Sequence, residues 1–212
     1  MGGRFITLEG GEGAGKSTQV KRLAAALEAA GRTVVSTREP GGSPGGEEIR
    51  GLIVSGAPDR WDAVTEALLI FAARRDHVER LIKPALARGD WVVCDRFTDS
   101  TAAYQGEAHG LGRDWVRRMA QETLGGFAPD LTLILDLPVE KGLARAGARG
   151  GDDRFERMAD GFHQRLRDGF LAIAAEEPER CAVIDADRSE EAVAAALRAA
   201  VASRLPDSGL EG

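Results

Sequence analysis

The sequence predicts an α/β protein built on a five-stranded parallel sheet with helices on both faces. Short apolar runs alternate along the chain with longer amphipathic segments, which is the pattern of a parallel sheet with helical crossovers. The chain has 212 residues, a length typical of one domain. Because neither an internal repeat nor a linker divides it, we expect a single domain over residues 1–212.

Five apolar or β-branched runs are predicted to form the strands. They are residues 5–9, 33–37, 91–94, 131–135 and 181–184. The second run leads into Arg38, and the third leads into Asp95 and Arg96. Since the carboxyl ends of parallel strands meet at one edge of a sheet, these polar residues are expected to lie close together.

The segments between the strands carry apolar residues at helical spacing. Helices are expected over residues 16–30, within 44–58, over 62–86 and 115–124, from 138 onward, and over 155–177 and 189–205. Residues 98–112 are expected to form a loop with one helical turn, and residues 206–212 a frayed tail. Residues 145–156 combine glycine and charge without an apolar stripe, which predicts a mobile arginine-rich lid.

The loop after the first strand has the spacing G-x-x-x-x-G-K-[ST] over residues 10–17 and leads into a helix. Glycine lets successive N–H groups point at phosphate oxygens, and the helix N-terminus adds partial positive charge. Lys16 is expected to reach the β- and γ-phosphates of a nucleotide, and the Ser17 hydroxyl to ligate Mg²⁺. A glycine-rich turn that binds nothing would not require Lys16 and Ser17.

Composition restricts the partners of the chain. The formal net charge of −6 argues against a general nucleic-acid or membrane partner. No apolar run approaches the roughly 20 residues that span a bilayer. Cys94 and Cys181 lie in apolar runs without metal-ligand spacing, as buried thiols do in a reducing compartment. We therefore expect a cytoplasmic protein with small-molecule substrates.

Arginines narrow the choice among proteins that carry such a phosphate-binding loop, here residues 10–17 and named the phosphate loop. The chain contains no Asn, and none of its four lysines lies in a guanine-reading motif. Several arginines stand at strand ends or in the predicted lid, namely Arg38, Arg96, Arg145, Arg149 and Arg154. Guanidinium groups grip phosphate oxygens and stabilise charge on a transferring phosphoryl group. The residues therefore favour a kinase that acts on a small phosphorylated acceptor.

Alternatives remain for individual residues and for the function. Asp95 and Asp136 both follow apolar strands and fit a Mg²⁺ site, although either fits a turn equally well. Glu39 leaves open a deoxynucleoside kinase, which needs a carboxylate base to activate an uncharged hydroxyl. A non-catalytic ATP sensor is the third hypothesis, and it predicts no acceptor site.

The chain resembles the bacterial thymidylate kinases along nearly its whole length. The matching segments are residues 10–17, 38–42, 71–75, 95–97, 100–106, 129–132 and the arginine-rich lid. The resemblance implies a three-layer P-loop kinase fold with sheet order 2-3-1-4-5. It also implies a homodimer that uses ATP and Mg²⁺ to phosphorylate dTMP to dTDP, a step in dTTP biosynthesis.

The resemblance also assigns the residues that bind dTMP. Phe71 would stack on the thymine ring, and Arg75 would hydrogen-bond its O4 edge. Tyr104 would close off the 2′ position of the sugar, and Glu12 would contact the 3′ hydroxyl. The remaining assigned contacts, to the phosphate and the base, come from Arg38, Arg96, Ser100 and Gln105.

ATP and catalysis are assigned in the same way. ATP would be bound by Gly10, Gly11, Glu12, Gly13, Ala14, Gly15, Lys16, Ser17 and Thr18, together with Arg145 and Arg188. The catalytic residues would be Lys16, Asp95, Arg96, Arg149 and Arg154. Ser17, and Asp95 through water, would hold Mg²⁺.

Overall fold

Five parallel strands form the sheet that organises the chain. The structure, a computed structural model, describes residues 2–57, 59–148, 155, 158 and 160–211. The strands are β1 Phe5–Glu9, β2 Val34–Arg38, β3 Trp91–Asp95, β4 Leu131–Asp136 and β5 Cys181–Asp185. Every pairing is parallel, and the order is β2-β3-β1-β4-β5. The expected fold class and strand order are confirmed.

Helices connect the strands and cover both faces of the sheet. They are α1 Lys16–Ala29, α2 Pro44–Val54, α3 Ala63–His77, α4 Lys83–Ala87, α5 Thr98–Thr101, α6 Arg113–Leu124, α7 Val139–Ala148, α8 Asp160–Glu176 and α9 Glu190–Arg204. Two π-helical segments, Val78–Ile82 and Ala102–Ala108, follow α3 and α5. A 3₁₀ turn, Pro206–Ser208, follows α9. In the part of the chain that the structure describes, no helix has the length and apolarity needed to cross a membrane.

Successive residues of β1 point into different cores. Ile6 and Leu8 belong to an apolar cluster with residues of α1 and α9, whereas Phe5 packs with Phe97 in a cluster on the opposite face. This alternation follows from the strand period of two residues, and burial on both faces is typical of a parallel strand. The carboxyl end of β1 is therefore held between two packed layers, directly before the phosphate loop.

The predicted helix over residues 62–86 is interrupted by a π-helical turn. Pro84 has no N–H, so the carbonyl of Arg80 lacks the donor that an uninterrupted helix would supply. The Val78–Ile82 turn directly before α4 accommodates that missing hydrogen bond. Residues 98–108 are also more helical than expected, and their π-helix carries Tyr104 and Gln105.

The C-terminal segment is packed, which corrects the expectation of a frayed tail. Ser208 is fully buried, and Leu210 packs against the cluster between the sheet, α1 and α9. Arg4 Nε donates to Asp207 Oδ2 at 3.0 Å. The expectation failed because these partners lie far away in the sequence and leave no local pattern.

Deleting residues 206–212 should lower the free energy of unfolding by about 1–3 kcal/mol, since it exposes apolar surface and breaks a hydrogen-bonded ion pair. Urea unfolding followed by circular dichroism measures the change. Glu211→Ala, at an exposed position of the same segment, serves as the control and should leave the midpoint unchanged. Equal stability of the truncated and full chains would contradict the packing described for Ser208 and Leu210.

Candidate active site

The loop between β1 and α1 forms one wall of the site. Gly10, Gly13 and Gly15 all have positive φ, at 136°, 68° and 89°, a region that residues with side chains rarely adopt. A Cβ atom on Gly13 would lie 2.0 Å from the carbonyl oxygen of Gly142. Helix α1 begins at Lys16 directly after this loop, so the loop and the helix N-terminus together make an anion-binding cradle.

Lys16 lies folded into this loop. Its Nζ donates to the carbonyl oxygens of Gly10 and Gly11 at 3.0 and 2.8 Å. Burial and the neighbouring charge of Arg96 lower the pKa of Lys16 to about 8, although Glu12 opposes the shift. A bound phosphate would supply the negative charge that this buried ammonium group lacks.

Ser17 and Asp95, the two predicted Mg²⁺ ligands, lie together. The hydroxyl of Ser17 donates to Asp95 Oδ2 at 2.7 Å. A hydroxyl and one carboxylate fit Mg²⁺, which commonly takes few protein oxygens and completes its shell with phosphate and water. Among the described residues, no group of three His, Cys, Asp or Glu side chains is arranged to hold a metal. The remaining ligands of an ion here would therefore come from a nucleotide and from water.

Asp136, the alternative metal ligand, is already paired. Its two carboxylate oxygens accept hydrogen bonds from Arg167 Nε and Nη2 at 2.7 and 2.9 Å. A bidentate pair of this kind neutralises the carboxylate and occupies both oxygens. The geometry therefore favours Asp95 over Asp136 for the ion.

Arg96 joins the phosphate loop to the opposite side of the site. Its Nη1 donates to the Gly10 carbonyl at 3.0 Å and to Ser100 Oγ at 3.2 Å, and its Nη2 donates to Glu12 Oε1 at 2.9 Å. The guanidinium carbon also lies 4.9 Å from the centre of the Tyr104 ring. Four contacts thus fix the direction of this cation.

The backbone of Arg96 is strained. Its φ is 73°, a conformation that costs a residue with a side chain about 1–3 kcal/mol. The Arg96 N–H donates to the Leu8 carbonyl at 3.0 Å, and Cys94 Sγ donates to the Arg96 carbonyl at 3.0 Å. These bonds hold the left-handed turn that aims the side chain at the phosphate loop.

Glu12 is an ionised acceptor that faces the cavity. It accepts hydrogen bonds from Arg96 and from the hydroxyl of Tyr104. Burial opposes ionisation, but the charges of Arg96 and Lys16 together with the Tyr104 hydrogen bond outweigh it and lower the pKa of Glu12 to about 2. A sugar hydroxyl within reach would therefore donate to a carboxylate.

Glu9 helps to position the site, a role that the sequence analysis did not predict. Its carboxyl oxygens accept from the N–H groups of Phe97 and Ser100 at 2.7 and 3.3 Å, and from Ser100 Oγ at 2.5 Å. Burial and the nearby Asp99 raise the pKa of Glu9 to about 7. Its sequence signal was an acidic residue ending an apolar strand before the phosphate loop. Glu9 holds in place the segment that carries Ser100.

A cavity of about 340 Å³ opens between the phosphate loop, the end of β2, helix α3 and the π-helical segment Ala102–Ala108. Predicted site residues along its wall are Glu12, Gly13, Gly15, Lys16, Ser17, Arg38, Asp95, Arg96, Ser100, Tyr104 and Gln105. Other lining residues are Glu39, Pro40, Arg50, Ile53, Val54, Ile70, Arg74, Thr101 and Phe155. Donor-side and acceptor-side residues therefore share one cavity.

Phe71 and Arg75 do not line this cavity, which corrects two predicted contacts to the base. Phe71 is buried, and its ring centre lies 5.3 Å from the guanidinium carbon of Arg74. Arg75 is half-exposed, donates to the Thr123 carbonyl at 3.0 Å and pairs with a neighbouring glutamate. Ile70 and Arg74, each one position earlier, line the cavity instead. Adjacent residues of a helix differ by about 100° in direction, so a shift of one position in the assignment selects a side chain on another face of α3.

Arg74 is buried and held on three sides. Its Nε donates to Glu39 Oε2 at 2.6 Å, its Nη1 to Thr101 Oγ1 at 2.9 Å and its Nη2 to the Phe97 carbonyl at 3.0 Å. The other oxygen of Glu39 lies 3.0 Å from His77 Nδ1. Both oxygens of Glu39 are therefore engaged, which disfavours Glu39 as the general base of a deoxynucleoside kinase.

Gln105 presents an unused acceptor. Its Nε2 donates to Glu66 Oε1 at 2.7 Å, whereas its Oε1 is buried and has no hydrogen-bond partner among the described residues. A buried acceptor of this kind favours a ligand that brings an N–H group.

The remaining predicted residues lie away from the cavity or outside the described residues. Thr18 is exposed in the first turn of α1. Arg145 Nη1 donates to the Ala186 carbonyl at 3.3 Å, and Arg188 pairs with Asp185 at 2.9 Å in the loop after β5. Arg149 and Arg154, with most of the lid predicted at 145–156, lie outside the described residues.

The pKa of Lys16 predicts how nucleotide capture depends on pH. The ammonium form binds phosphate, and it is lost as the pH rises through about 8. The kcat/KM for ATP, which reports the free enzyme, should therefore fall about tenfold per unit above that pH. Lys16→Arg keeps its charge, so its residual activity should not show this fall. A wild-type profile that stays flat to about pH 10 would contradict the prediction.

Comparison with known proteins points to one family. The sequence model of thymidylate kinase matches residues 8–197. The thymidylate kinases of Caulobacter vibrioides, Rhizorhabdus wittichii and Rhodopseudomonas palustris are 60%, 55% and 55% identical to it. The matches cover 96%, 97% and 99% of this chain and 98%, 100% and 93% of those proteins. The similarity therefore extends far beyond the phosphate loop, and the chain belongs to the thymidylate kinase family.

Proposed function

We propose that this chain is the kinase that transfers the γ-phosphoryl group of ATP to dTMP, forming dTDP and ADP on the route to dTTP. The observation that carries the proposal is the single cavity in which Lys16 and Ser17 face Arg38, Arg96 and Tyr104. Membership of the thymidylate kinase family supports the same reaction.

The donor side positions and neutralises the triphosphate. Lys16 would leave the carbonyl oxygens of the loop for the β- and γ-phosphates, where its charge is better matched. Ser17 and Asp95 would hold Mg²⁺, whose positive charge would offset that of the phosphates. The exposed N-terminus of α1 adds its partial positive charge. Phosphoryl transfer depends on such positioning and charge neutralisation more than on a strong base.

The acceptor side binds a nucleotide that already carries charge. Arg38 and Arg96 would hold its phosphate, which attacks as an ionised oxygen and needs no general base. Ser100 lies within 3.2 Å of Arg96 and steadies its guanidinium. Glu12 would accept the 3′ hydroxyl of the sugar, while the Tyr104 ring closes the 2′ side. A ribose would have to displace that ring, which disfavours ribonucleotides.

Thymine would lie against Ile70 and Arg74. Three of the five N–H groups of Arg74 donate within the protein, which leaves two for the O4 atom of the base. The unpaired Oε1 of Gln105 would accept the N3–H of thymine. Cytosine presents an amino group at position 4 and no N3–H, so it would match neither contact.

The other elements of the proposal concern the lid and the setting of the enzyme. Arg149 and Arg154, with Arg145, would stabilise charge on the transferring group from the lid. One sheet that runs through all five strands supports a single catalytic domain. Two free, buried cysteines, Cys94 and Cys181, are compatible with the reducing cytoplasm.

A substrate panel separates this function from its two alternatives. A coupled assay with ATP and Mg²⁺ should show highest kcat/KM for dTMP among dTMP, dCMP, AMP and thymidine. Thymidine turnover above that of dTMP would indicate a deoxynucleoside kinase. Tight ATP binding with no acceptor turned over would indicate a sensor.

Arg74 and Arg75 make a matched test of the base site. Arg74→Ala should raise the KM for dTMP about 100-fold, because it removes charged donors from the base edge, and should leave the KM for ATP unchanged. Arg75→Ala should change both values less than about twofold, since its surface contacts contribute little. The opposite ranking would overturn the assignment. Because Arg74→Ala leaves Glu39 buried without its partner, the pair Arg74→Met and Glu39→Gln serves as a folding control.

The proposed homodimer would use an apolar surface on α2 and α3. Leu52, Val64 and Leu68 are exposed large apolar side chains, and the last two are one helical turn apart on α3. We predict that Leu68→Glu shifts the protein from dimer to monomer in light scattering, because charge repels across a two-fold contact. Val183→Glu, also 47% exposed but on β5, is the matched control and should stay dimeric. A monomeric wild type would contradict the dimer.

A further inference from the structure

Arg74 is held by a chain of buried and partly buried polar groups that runs back from the cavity wall. The Arg74 and Glu39 side chains are each 2% exposed and lie 2.6 Å apart. On the far side of Glu39, its Oε1 lies 3.0 Å from His77 Nδ1. His77 Nε2 lies 2.8 Å from Thr37 Oγ1. Four side chains therefore form one line from the end of β2 to the cavity wall.

The fold gives His77 little freedom. Arg74 and His77 are three residues apart on α3, so they lie on the same helical face. Thr37 and Glu39 lie at the carboxyl end of β2. The His77 side chain is fully buried, and a Cβ on Gly42 would lie only 2.3 Å from its Nε2. Because the carboxylate of Glu39, which pairs with Arg74, accepts hydrogen bonds, Nδ1 of the enclosed His77 ring is a fixed donor to it.

The hydrogen bond from His77 determines which oxygen of Glu39 is available to Arg74. While Oε1 is engaged by His77, Glu39 offers only Oε2 to the Nε of Arg74. Without His77, the carboxylate could turn and take both Nε and an Nη of Arg74 in the bidentate geometry that arginine and carboxylate prefer. That turn would remove an N–H group from the cavity and rotate the guanidinium plane.

We propose that His77 is a positioning residue for base selection: acting through Glu39, it holds the free N–H groups of Arg74 toward the O4 atom of the acceptor base. It contributes in this way to the preference for thymine over cytosine. The inference rests on the proposed function, since it takes dTMP as the acceptor and Arg74 as its reader.

Substitutions at His77 separate the two ring nitrogens. His77→Phe keeps the size of the ring and removes both hydrogen bonds. His77→Asn places an amide nitrogen near the position of Nδ1 and keeps the donor to Glu39. The measurement is kcat/KM for dTMP and for dCMP, with the KM for ATP and the melting temperature of each variant. His77→Phe should lower the dTMP-to-dCMP ratio about tenfold, mainly through the KM for dTMP. His77→Asn should retain most of the wild-type ratio.

Leu197→Ala controls for lost stability alone. Leu197 is buried on α9 in the cluster on the far side of the sheet, so this variant should melt at a lower temperature and keep the wild-type ratio. A wild-type ratio in His77→Phe, or the same loss of ratio in Leu197→Ala, would overturn the proposal.

Two further outcomes keep the test decisive. If His77→Phe does not fold, Thr37→Val removes the partner of Nε2 and should lower the ratio in the same direction; an unchanged ratio overturns the role of His77. A wild-type enzyme without preference for dTMP over dCMP would overturn the proposed function as well. Preference in the wild type together with undiminished preference in the variants would overturn the role of His77 alone.

Discussion

The site depends on the hydrogen bonds that the guanidinium group of Arg96 donates. It connects the carbonyl of Gly10, the carboxylate of Glu12 and the hydroxyl of Ser100, three groups that come from two separate segments of the chain. The strained φ of 73° at this residue aims the side chain into the loop. Without its charge, the partly buried carboxylate of Glu12 would be stabilised mainly by Lys16 and the Tyr104 hydroxyl, and the phosphate loop would lose one of its links to the acceptor side.

Charge in the site is balanced by pairing. Glu9, Glu12 and Glu39 are each matched with donors, although the whole chain is negative. Buried carboxylates are tolerated only where such donors compensate the loss of water. Arg96, which would meet phosphate, is thus held in place by the carboxylate of Glu12 before any ligand binds, whereas Lys16 is held by backbone carbonyls. Because little reorganisation is then needed, the charge on a transferring phosphoryl group can be stabilised efficiently.

The residues of helix α3 lie on different faces of the helix and therefore have different surroundings. Ile70, Arg74 and His77 share the face toward the site, at spacings of three and four residues. Phe71 lies in the core against Arg74, and Arg75 reaches the surface near α6. The same helix therefore supplies the proposed base wall, its reader and the side chain that positions the reader.

The sequence alone determined the strand and helix alternation, the phosphate loop and its Lys16 and Ser17, and the arginines at the strand ends. These features follow from local spacing, which a chain carries in its order of residues. The resemblance of separated motifs added the strand order, the family and the reaction. The position of Arg38, Asp95 and Arg96 around one cavity also followed, since parallel strands end at a common edge.

Only the tertiary structure decided which residues of that edge face the cavity and what each one contacts. The resemblance assigned the base contact to Arg75, but helical rotation places Arg74, and not Arg75, on the cavity wall. In the sequence, Asp136 fits a Mg²⁺ site as well as Asp95 does. In the structure, both carboxylate oxygens of Asp136 accept hydrogen bonds from Arg167. Glu9 had only the weak signal of an acidic residue at the end of an apolar strand, and His77 had none, because their contacts are with residues 38 to 91 positions away. Contacts between distant segments depend on packing, and no local pattern records them.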